Sequence, residues 1–310
     1  MKKIIKKFKS FNSRGSSLII VLLIALIITA GIFFTNGLFT DTNKPPSDIT
    51  EYKPLPTILN DNRVVLQLKT INFESCGDTA ALGFLVDQSG SMDYGEKETK
   101  LKAALNVFAS KFPPGGITGL RTYSDDTYTP IIVAYNFFKN NKTDFAKAIR
   151  NMTPYQATHS KDAFAQVKTD LDAARSKPIF ADYKFNLVFI SDGIPESQSG
   201  LDRLCPGGLL VNGDPRYCGP YPPNPSQCRC FDPDQDPTQV AAQIKASDPD
   251  IKIFTIGYIH DINDASFQIK LRDLMKNVAS TPDDFYEVPS TNDITGILQQ
   301  IITKVCKAQP

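Results

Sequence analysis

Short runs of apolar residues alternate with amphipathic segments from about residue 80 to near the end of the chain. Several of these runs are apolar throughout, which is typical of strands that are buried on both faces of a sheet. We predict strands over residues 81–86, 119–123, 131–135, 186–190, 251–256 and 285–288.

Segments with helical periodicity lie between the predicted strands. The apolar residues that form one stripe along each predicted helix are Leu101, Ala104, Leu105, Phe108 and Phe112, then Phe164, Val167, Leu171 and Ala174, then Phe267, Leu271, Leu274, Met275 and Val278, and finally Ile294, Ile297, Leu298, Ile301, Ile302 and Val305. Because strands alternate with helices, we predict an α/β fold with a doubly wound, mostly parallel central sheet flanked by helices.

A long run without any charged residue, residues 16–39, precedes this region. The run is sufficient to cross a bilayer, which needs roughly 20 apolar residues. Basic residues are frequent before it, and the first acidic residue is Asp41. By the positive-inside rule we expect residues 1–15 in the cytoplasm and the folded region outside. We therefore predict one transmembrane helix, a signal anchor in the cell membrane, followed by an extracytoplasmic tether over residues 40–75.

The N-terminus also resembles a type IV prepilin leader. Basic residues are followed by Arg14-Gly15 and the apolar run, and cleavage would come after Gly15. Most pilins have a glutamate at the fifth position of the mature chain, where this chain has Ile20, as in the minor pilin-like proteins that lack the acid. Pro45 and Pro46 would end a pilin helix early. We favour a plain anchor with a basic cytoplasmic flank, and the cleaved leader is the alternative.

The overall composition is that of a globular protein, with 41% hydrophobic and 22% charged residues. The net charge of +1 argues against a nucleic-acid partner. An even number of cysteines, six, in an exported segment predicts three disulfides. Two of them, Cys76 and Cys306, stand at the ends of the folded region, residues 76–306.

The other four cysteines lie in a proline-rich insertion, residues 194–237, that lacks any periodic pattern. They are Cys205, Cys218, Cys228 and Cys230. A long loop of this kind in a compact domain is usually functional or stapled. Zinc is the alternative to disulfides, but the insertion has no C-x-x-C pair and export favours oxidation. The four cysteines allow three connectivities, which the sequence leaves open.

Polar residues follow two of the predicted strands at the point where each strand ends. Asp87, Ser89 and Ser91 come at alternate positions after the first strand, and Asp192 ends another. Alternate side chains of an extended chain point the same way, and ligands bind at this edge of an open α/β sheet. Hydroxyl side chains also precede the second predicted helix, at Thr153, Thr158 and Ser160. Such hard oxygen donors suit Mg²⁺ or Mn²⁺.

The D-x-S-x-S motif, the mid-chain threonine and the S-D-G motif together resemble the metal-ion-dependent adhesion site of von Willebrand factor A domains, which have a Rossmann-like fold. The matching residues are Asp87, Ser89, Ser91, Thr158 and Asp192. The resemblance implies that the serines bind the metal directly, the threonine directly or through water, and the aspartates largely through water. The remaining position would take an acidic group of the partner. The family usually has small residues before the threonine, where this chain has Tyr155-Gln156-Ala157.

The resemblance carries two further expectations. Several extracellular members of the family have a disulfide between the residue before the first strand and the end of the last helix, which implies a Cys76–Cys306 bond here. The insertion follows Asp192 directly, so it emerges on the metal face. We expect the insertion to shape the choice of partner, because loops on a binding face generally carry specificity. The alternative is a rigid lid without ligand contact.

Two weaker motifs indicate other chemistry. Asp232, Asp234 and Asp236 are spaced as at the start of a calcium loop, but the glycine and the final glutamate of such a loop are missing. We interpret Asp236 as the cap of the following helix. The histidines, His159 and His260, would suit a hydrolase, but no G-x-S-x-G elbow accompanies them. We therefore do not expect an enzyme.

These features predict a membrane-anchored domain that binds a protein or cell-surface ligand through a divalent metal, as an adhesin at the tip of a pilus-like fibre would. The alternative is a scaffold that docks permanently onto a surface or secretion complex in the same membrane. An ATPase-associated domain is excluded by the predicted anchor and disulfides.

Overall fold

The computed structural model describes residues 80–196, 201–202, 216–218, 227–260, 262, 265–288 and 294–307. They belong to one compact unit, Lys69–Pro310. The predicted leader, anchor and tether, residues 1–75, and Cys76 lie outside the described residues. Among the helices that are described, none is both long and apolar enough to cross a membrane.

Strands and helices alternate along most of the described chain. The strands are β1 (Ala80–Asp87), β2 (Ile117–Tyr123), β3 (Ile132–Phe137), β4 (Lys184–Ser191), β5 (Leu201–Asp202), β6 (Arg216–Cys218), β7 (Gln227–Cys230), β8 (Lys252–Gly257) and β9 (Phe285–Glu287). The α-helices are α1 (Lys97–Lys111), α2 (Phe138–Asn151), α3 (Ser160–Arg175), α4 (Thr238–Ser247), α5 (Ala265–Val278) and α6 (Ile294–Lys307).

The central sheet has six strands in the order β3-β2-β1-β4-β8-β9. All neighbouring strands are parallel except β2 and β3, which are antiparallel. Every residue of β1 is buried, which explains why this strand is apolar on both faces. The α/β class and the mostly parallel sheet that we predicted are therefore confirmed.

Alternate residues of the central strands enter two separate hydrophobic cores. Leu82, Phe84 and Val86 of β1 pack with α1, α2 and α6 on one face of the sheet. Ala81 and Leu85 pack with α3, α4 and α5 on the other face. The period of two along β1 thus serves helices on both sides, as expected for a doubly wound sheet.

Helix α2 (Phe138–Asn151) is missing from the sequence prediction. Its buried side includes Asn141, so the apolar stripe is interrupted at that position. The amide of Asn141 donates hydrogen bonds to the carbonyl oxygens of Thr118 (2.9 Å) and Ala134 (2.7 Å). Asn141 is buried against the sheet as an apolar residue would be, because its polar atoms are hydrogen-bonded. Since it is polar, it interrupts the apolar periodicity from which a helix is predicted.

The tyrosine ring at the middle of β3 depends on two glycines of the neighbouring strands. Tyr135 packs over Gly83 in β1 and Gly119 in β2. A Cβ atom at Gly119 would lie 2.9 Å from three atoms of the ring, and one at Gly83 would overlap the Tyr135 hydroxyl. The close approach of ring and sheet therefore requires glycine at both positions.

The cysteine-rich insertion contains a second, small sheet that the sequence did not predict. Its strands have the order β5-β7-β6 and are antiparallel. Cys218 in β6 is paired in register with Cys228 in β7. Cys230 and Cys306 each take part in a disulfide bond. The Cys76–Cys306 pairing involves a residue outside the described part of the chain and stays a prediction.

Candidate metal site at the ends of the central strands

The two central parallel strands, β1 and β4, end at the same edge of the sheet, and Asp87 is the last residue of β1. Val86 in β1 is in register with Ile190 in β4, so Asp87 and Ser191 follow side by side. One carboxylate oxygen of Asp87, Oδ2, accepts a hydrogen bond from the Ser191 hydroxyl. The other, Oδ1, accepts one from the backbone N–H of Ser89 at 2.7 Å. Both oxygens of Asp87 are therefore held in a fixed direction.

A chain of hydrogen bonds connects the D-x-S-x-S turn to Asp192. The hydroxyl oxygens of Ser89 and Ser91 lie 3.0 Å apart, and the Ser91 hydroxyl donates to Asp192 Oδ1 at 2.7 Å. All of these side chains, like that of Asp87, are buried. The structure thus brings four of the five predicted site residues together in one polar network.

Thr158, the fifth predicted residue, lies on the loop that follows α2. The backbone of this loop is bonded to the D-x-S-x-S turn, with Tyr155 N–H donating to Gln88 O (2.6 Å) and Gly90 N–H to Gln156 O (2.9 Å). Thr158 is fully buried, and its hydroxyl has no hydrogen-bond partner among the residues that the structure describes. A buried polar atom without a partner is costly in a folded protein. The Thr158 hydroxyl is therefore suited to bind a metal ion in this site.

The other hydroxyls of the predicted Ser/Thr cluster have different surroundings. The Thr153 hydroxyl is 3.4 Å from the carbonyl oxygen of Asn151, in an exposed contact. Ser160 is buried at the first position of α3, and its hydroxyl, like that of Thr158, has no hydrogen-bond partner among the described residues. Burial therefore leaves both Thr158 and Ser160 as candidates, and the resemblance assigns the role to Thr158.

The loop before Thr158 has an unusual backbone conformation. Gln156 has a φ of 25°, a region that glycine adopts readily and other residues rarely. The Ser124 hydroxyl binds the carbonyl oxygens on either side, those of Tyr155 (2.5 Å) and Ala157 (3.0 Å). These bonds hold the turn in place without a glycine.

A lysine that the sequence interpretation missed contacts the site. The ammonium of Lys97 lies 2.7 Å from Asp192 Oδ2 and 3.4 Å from the carbonyl oxygen of Ser91. The side chain is only 6% exposed. Lys97 is the first residue of α1, where the helix dipole disfavours a positive charge. A lysine at the first position of a helix is the one sign in the sequence that could have distinguished Lys97 from the other lysines of α1.

The electrostatic state of the site reflects two carboxylates in a buried place. Burial, and then the negative charge of Asp192, raise the pKa of Asp87 to about 6, although hydrogen bonds from Ser191 and Ser89 act in the opposite direction. Burial and the charge of Asp87 also raise the pKa of the Tyr123 hydroxyl behind the site. The carboxylates would be stabilised by an additional cation.

The donor set at this edge is made of carboxylate and hydroxyl oxygens. Within the described ranges, no three His, Cys, Asp or Glu residues are grouped as they would be in a metal site of those ligands. A site with two carboxylates and three hydroxyls fits a hard divalent ion such as Mg²⁺ or Mn²⁺, which accepts neutral oxygen ligands and keeps waters. The residues present are therefore compatible with the predicted metal.

The weaker motifs have structural roles in the described chain. The Asp232 side chain accepts a hydrogen bond from Asp234 N–H at 2.9 Å, and the Asp236 side chain accepts one from Thr238 N–H at 2.8 Å where α4 begins. The interpretation of Asp236 as a helix cap is confirmed. His260 is half exposed, with its ring nitrogen Nε2 3.4 Å from Glu287 Oε1.

Comparisons with known proteins agree with the fold. Residues 82–194 match the family model of the von Willebrand factor type A domain. Similar solved structures include the pilus adhesin SpaC from Lactobacillus rhamnosus GG, with 15% identity and a TM-score of 0.54, over 74% of this chain and 30% of that one. Another is the vWF domain of the type V pili tip protein Mfa5 from Porphyromonas gingivalis, with 14% identity and a TM-score of 0.52, over 73% and 94%.

Identities this low show a common fold and nothing finer. This chain spans less than a third of the length of SpaC. No curated protein sequence is a significant match to the chain. The six-stranded sheet and the similar structures agree with this match. Residues 82–194 of the chain therefore match the von Willebrand factor type A domain, and the fold is the one found in the similar structures.

Proposed function

We propose that this domain binds a protein or cell-surface ligand through a divalent metal, Mg²⁺ or Mn²⁺, held by Asp87, Ser89, Ser91, Thr158 and Asp192. The observation that carries the proposal is the buried hydrogen-bond chain from Asp87 to Asp192, together with the Thr158 hydroxyl that lacks a partner among the described residues. Buried groups of this kind need a ligand or a cation to offset their desolvation.

The residues around the metal ligands fix the geometry of the site. Ser191 and the N–H of Ser89 orient the carboxylate of Asp87, and the Ser91 hydroxyl orients that of Asp192. When bound, the metal supplies a positive charge with an open position for an acidic group of the partner. This chemistry is binding, so we propose that the domain is not an enzyme.

The biological setting of the proposal combines the sequence with the similar structures. SpaC is a pilus adhesin and Mfa5 is a pilus tip protein. We propose a comparable adhesive role for this chain, with residues 16–39 anchoring it in the cell membrane and the type A domain outside the cell. A leader cleaved after Gly15 would instead place it in a pilus-like fibre.

A capture experiment tests this proposal. The full-length chain, in mild detergent, is immobilised and incubated with extracellular material and with membrane extracts, in Mg²⁺ or in EDTA. Asp87→Ala is compared with Asp93→Ala, which changes an exposed aspartate of the following turn. We expect a partner that is captured in Mg²⁺ by the wild type and by Asp93→Ala, and is lost with EDTA and with Asp87→Ala. A partner captured equally under all conditions would indicate a scaffold instead.

A further inference from the structure

Lys97 has no counterpart in the five-residue metal motif, yet its head group lies inside the candidate site. Its ammonium is 2.7 Å from Asp192 Oδ2, and the Asp192 side chain is fully buried. Asp192 therefore has one carboxylate oxygen bonded to the Ser91 hydroxyl and the other to a lysine.

The other ion-paired lysines of α1 are more exposed than Lys97. Lys100 pairs with Glu96 at 3.0 Å, and Lys102 with Glu98 at 2.8 Å, each across one helical turn. Partly exposed pairs of this kind contribute little to stability. Lys97 differs because burying an ammonium is costly unless its partner is fixed and close. The rigid contact with Asp192 meets this condition, so the position of Lys97 is tied to the site.

Lys97 changes the net charge of the candidate site. Asp87 and Asp192 bring two negative charges, and the ammonium of Lys97 neutralises one of them. A divalent ion that enters must share Asp192 with a cation already in place, and like charges at short distance repel strongly in a buried site. Without a metal, the same ammonium weakens the repulsion between Asp192 and Asp87.

From this arrangement we infer that Lys97 is a built-in counter-ion of the metal site. It lowers the affinity of the protein for the metal, and it holds Asp192 and the Ser91 backbone in place when no metal is bound. The inference rests on the proposed metal-binding function and adds a residue that regulates it. The domain thereby keeps its site formed in the metal-free state and releases the metal more easily than the five ligands alone would allow.

The test is a Mg²⁺ titration by calorimetry on the full-length chain, with thermal unfolding in EDTA measured beside it. Lys97→Met removes the charge, Lys97→Arg keeps it, and Lys100→Met is a matched control on the same helix. We expect Lys97→Met to bind Mg²⁺ about tenfold more tightly or better. Lys97→Arg and Lys100→Met should stay within about twofold of the wild type.

Stability gives the second readout. In EDTA, Lys97→Met should melt several degrees below the wild type, and Mg²⁺ should restore most of the difference. If Lys97→Met folds only when Mg²⁺ is present, the inference is supported as well, because the metal then replaces the charge that the lysine provided. Equal or weaker Mg²⁺ binding by Lys97→Met would overturn the role of Lys97 and leave the metal site standing. An absence of binding by all the proteins would overturn the metal site itself.

Discussion

Ser91 and Asp192 are 101 positions apart in the chain, yet the Ser91 hydroxyl donates a hydrogen bond to Asp192 Oδ1 at 2.7 Å. The contact joins the turn after β1 to the end of β4. These strands are parallel neighbours in the sheet, so the contact is a direct consequence of the fold. A side chain from each strand thereby becomes part of one site before any ligand arrives.

Ser91→Ala tests this contact. The substitution removes one proposed metal ligand and one hydrogen bond to a buried carboxylate. We expect Mg²⁺ affinity to fall by about tenfold or more and the metal-free domain to lose about 1 kcal/mol of unfolding free energy. Calorimetry and urea unfolding measure the two effects. Ser110→Ala is the control, because the Ser110 hydroxyl makes an exposed bond to Val107 O in α1. Unchanged Mg²⁺ affinity in Ser91→Ala would exclude Ser91 as a ligand.

The close packing of Tyr135 on β1 gives a prediction about the sheet. Gly83→Ala would place a methyl group against the Tyr135 hydroxyl, so the ring must move. We expect a loss of about 1–3 kcal/mol in unfolding free energy, as in other overpacked cores. Gly296→Ala in α6 is the control. A Cβ there has nothing within 4 Å, so this change should leave stability equal or slightly higher. A neutral effect of Gly83→Ala in urea unfolding would mean that Tyr135 does not pack as described.

Asn141 gives a prediction for the helix that the sequence did not reveal. Asn141→Ala leaves the carbonyl oxygens of Thr118 and Ala134, the first of them in a buried contact, without this donor. The expected loss is about 1–3 kcal/mol of unfolding free energy, measured by urea unfolding. Asn140→Ala, at the exposed neighbouring position, should change stability by less than about 0.5 kcal/mol. Equal effects of the two substitutions would argue against a structural role of the Asn141 amide.

The ion pair between α5 and β9 predicts a dependence of stability on pH. Both nitrogens of the Arg272 fork, Nε and Nη2, lie 2.7 Å from the Glu287 carboxylate oxygens. These hydrogen bonds lower the pKa of Glu287 below its usual value of 4.5. The folded pKa is thus below the unfolded one, so the stabilisation is present above the unfolded pKa and disappears as the pH falls through the folded pKa.

Glu287→Gln should therefore be less stable than the wild type at pH 6, by about 1 kcal/mol because the pair is partly exposed. The difference should shrink towards pH 3, as followed by urea unfolding over a pH series. A difference that stays constant over this range would show that the charge of Glu287 is not the cause.

Much of the fold and of the site could be predicted because the determining signals are local. The six strands of the central sheet were predicted because each coincides with a short, largely apolar run between helical segments. The meeting of Asp87 and Asp192 followed from the rule that parallel strands end at one edge. Neither inference needs a contact between distant side chains to be known in advance.

The remaining features depend on three-dimensional contacts that leave little trace in the sequence. Helix α2 was missed because Asn141 replaces an apolar residue on its buried side. Lys97 was missed because its only sign in the sequence, its place at the first position of α1, does not show that its ammonium reaches Asp192. The backbone strain at Gln156 is stabilised by Ser124, which lies on a different segment of the chain. Such features can be recognised only once the elements are packed.

The most direct test of the central claim is a measurement of Mn²⁺ binding by electron paramagnetic resonance on the full-length chain. We predict one Mn²⁺ site that Mg²⁺ competes for, that is retained in Asp93→Asn, and that is lost in Asp87→Asn. If the free Mn²⁺ signal is unchanged by the wild-type protein, or if Asp87→Asn binds as well as the wild type, these strand ends do not form a metal site.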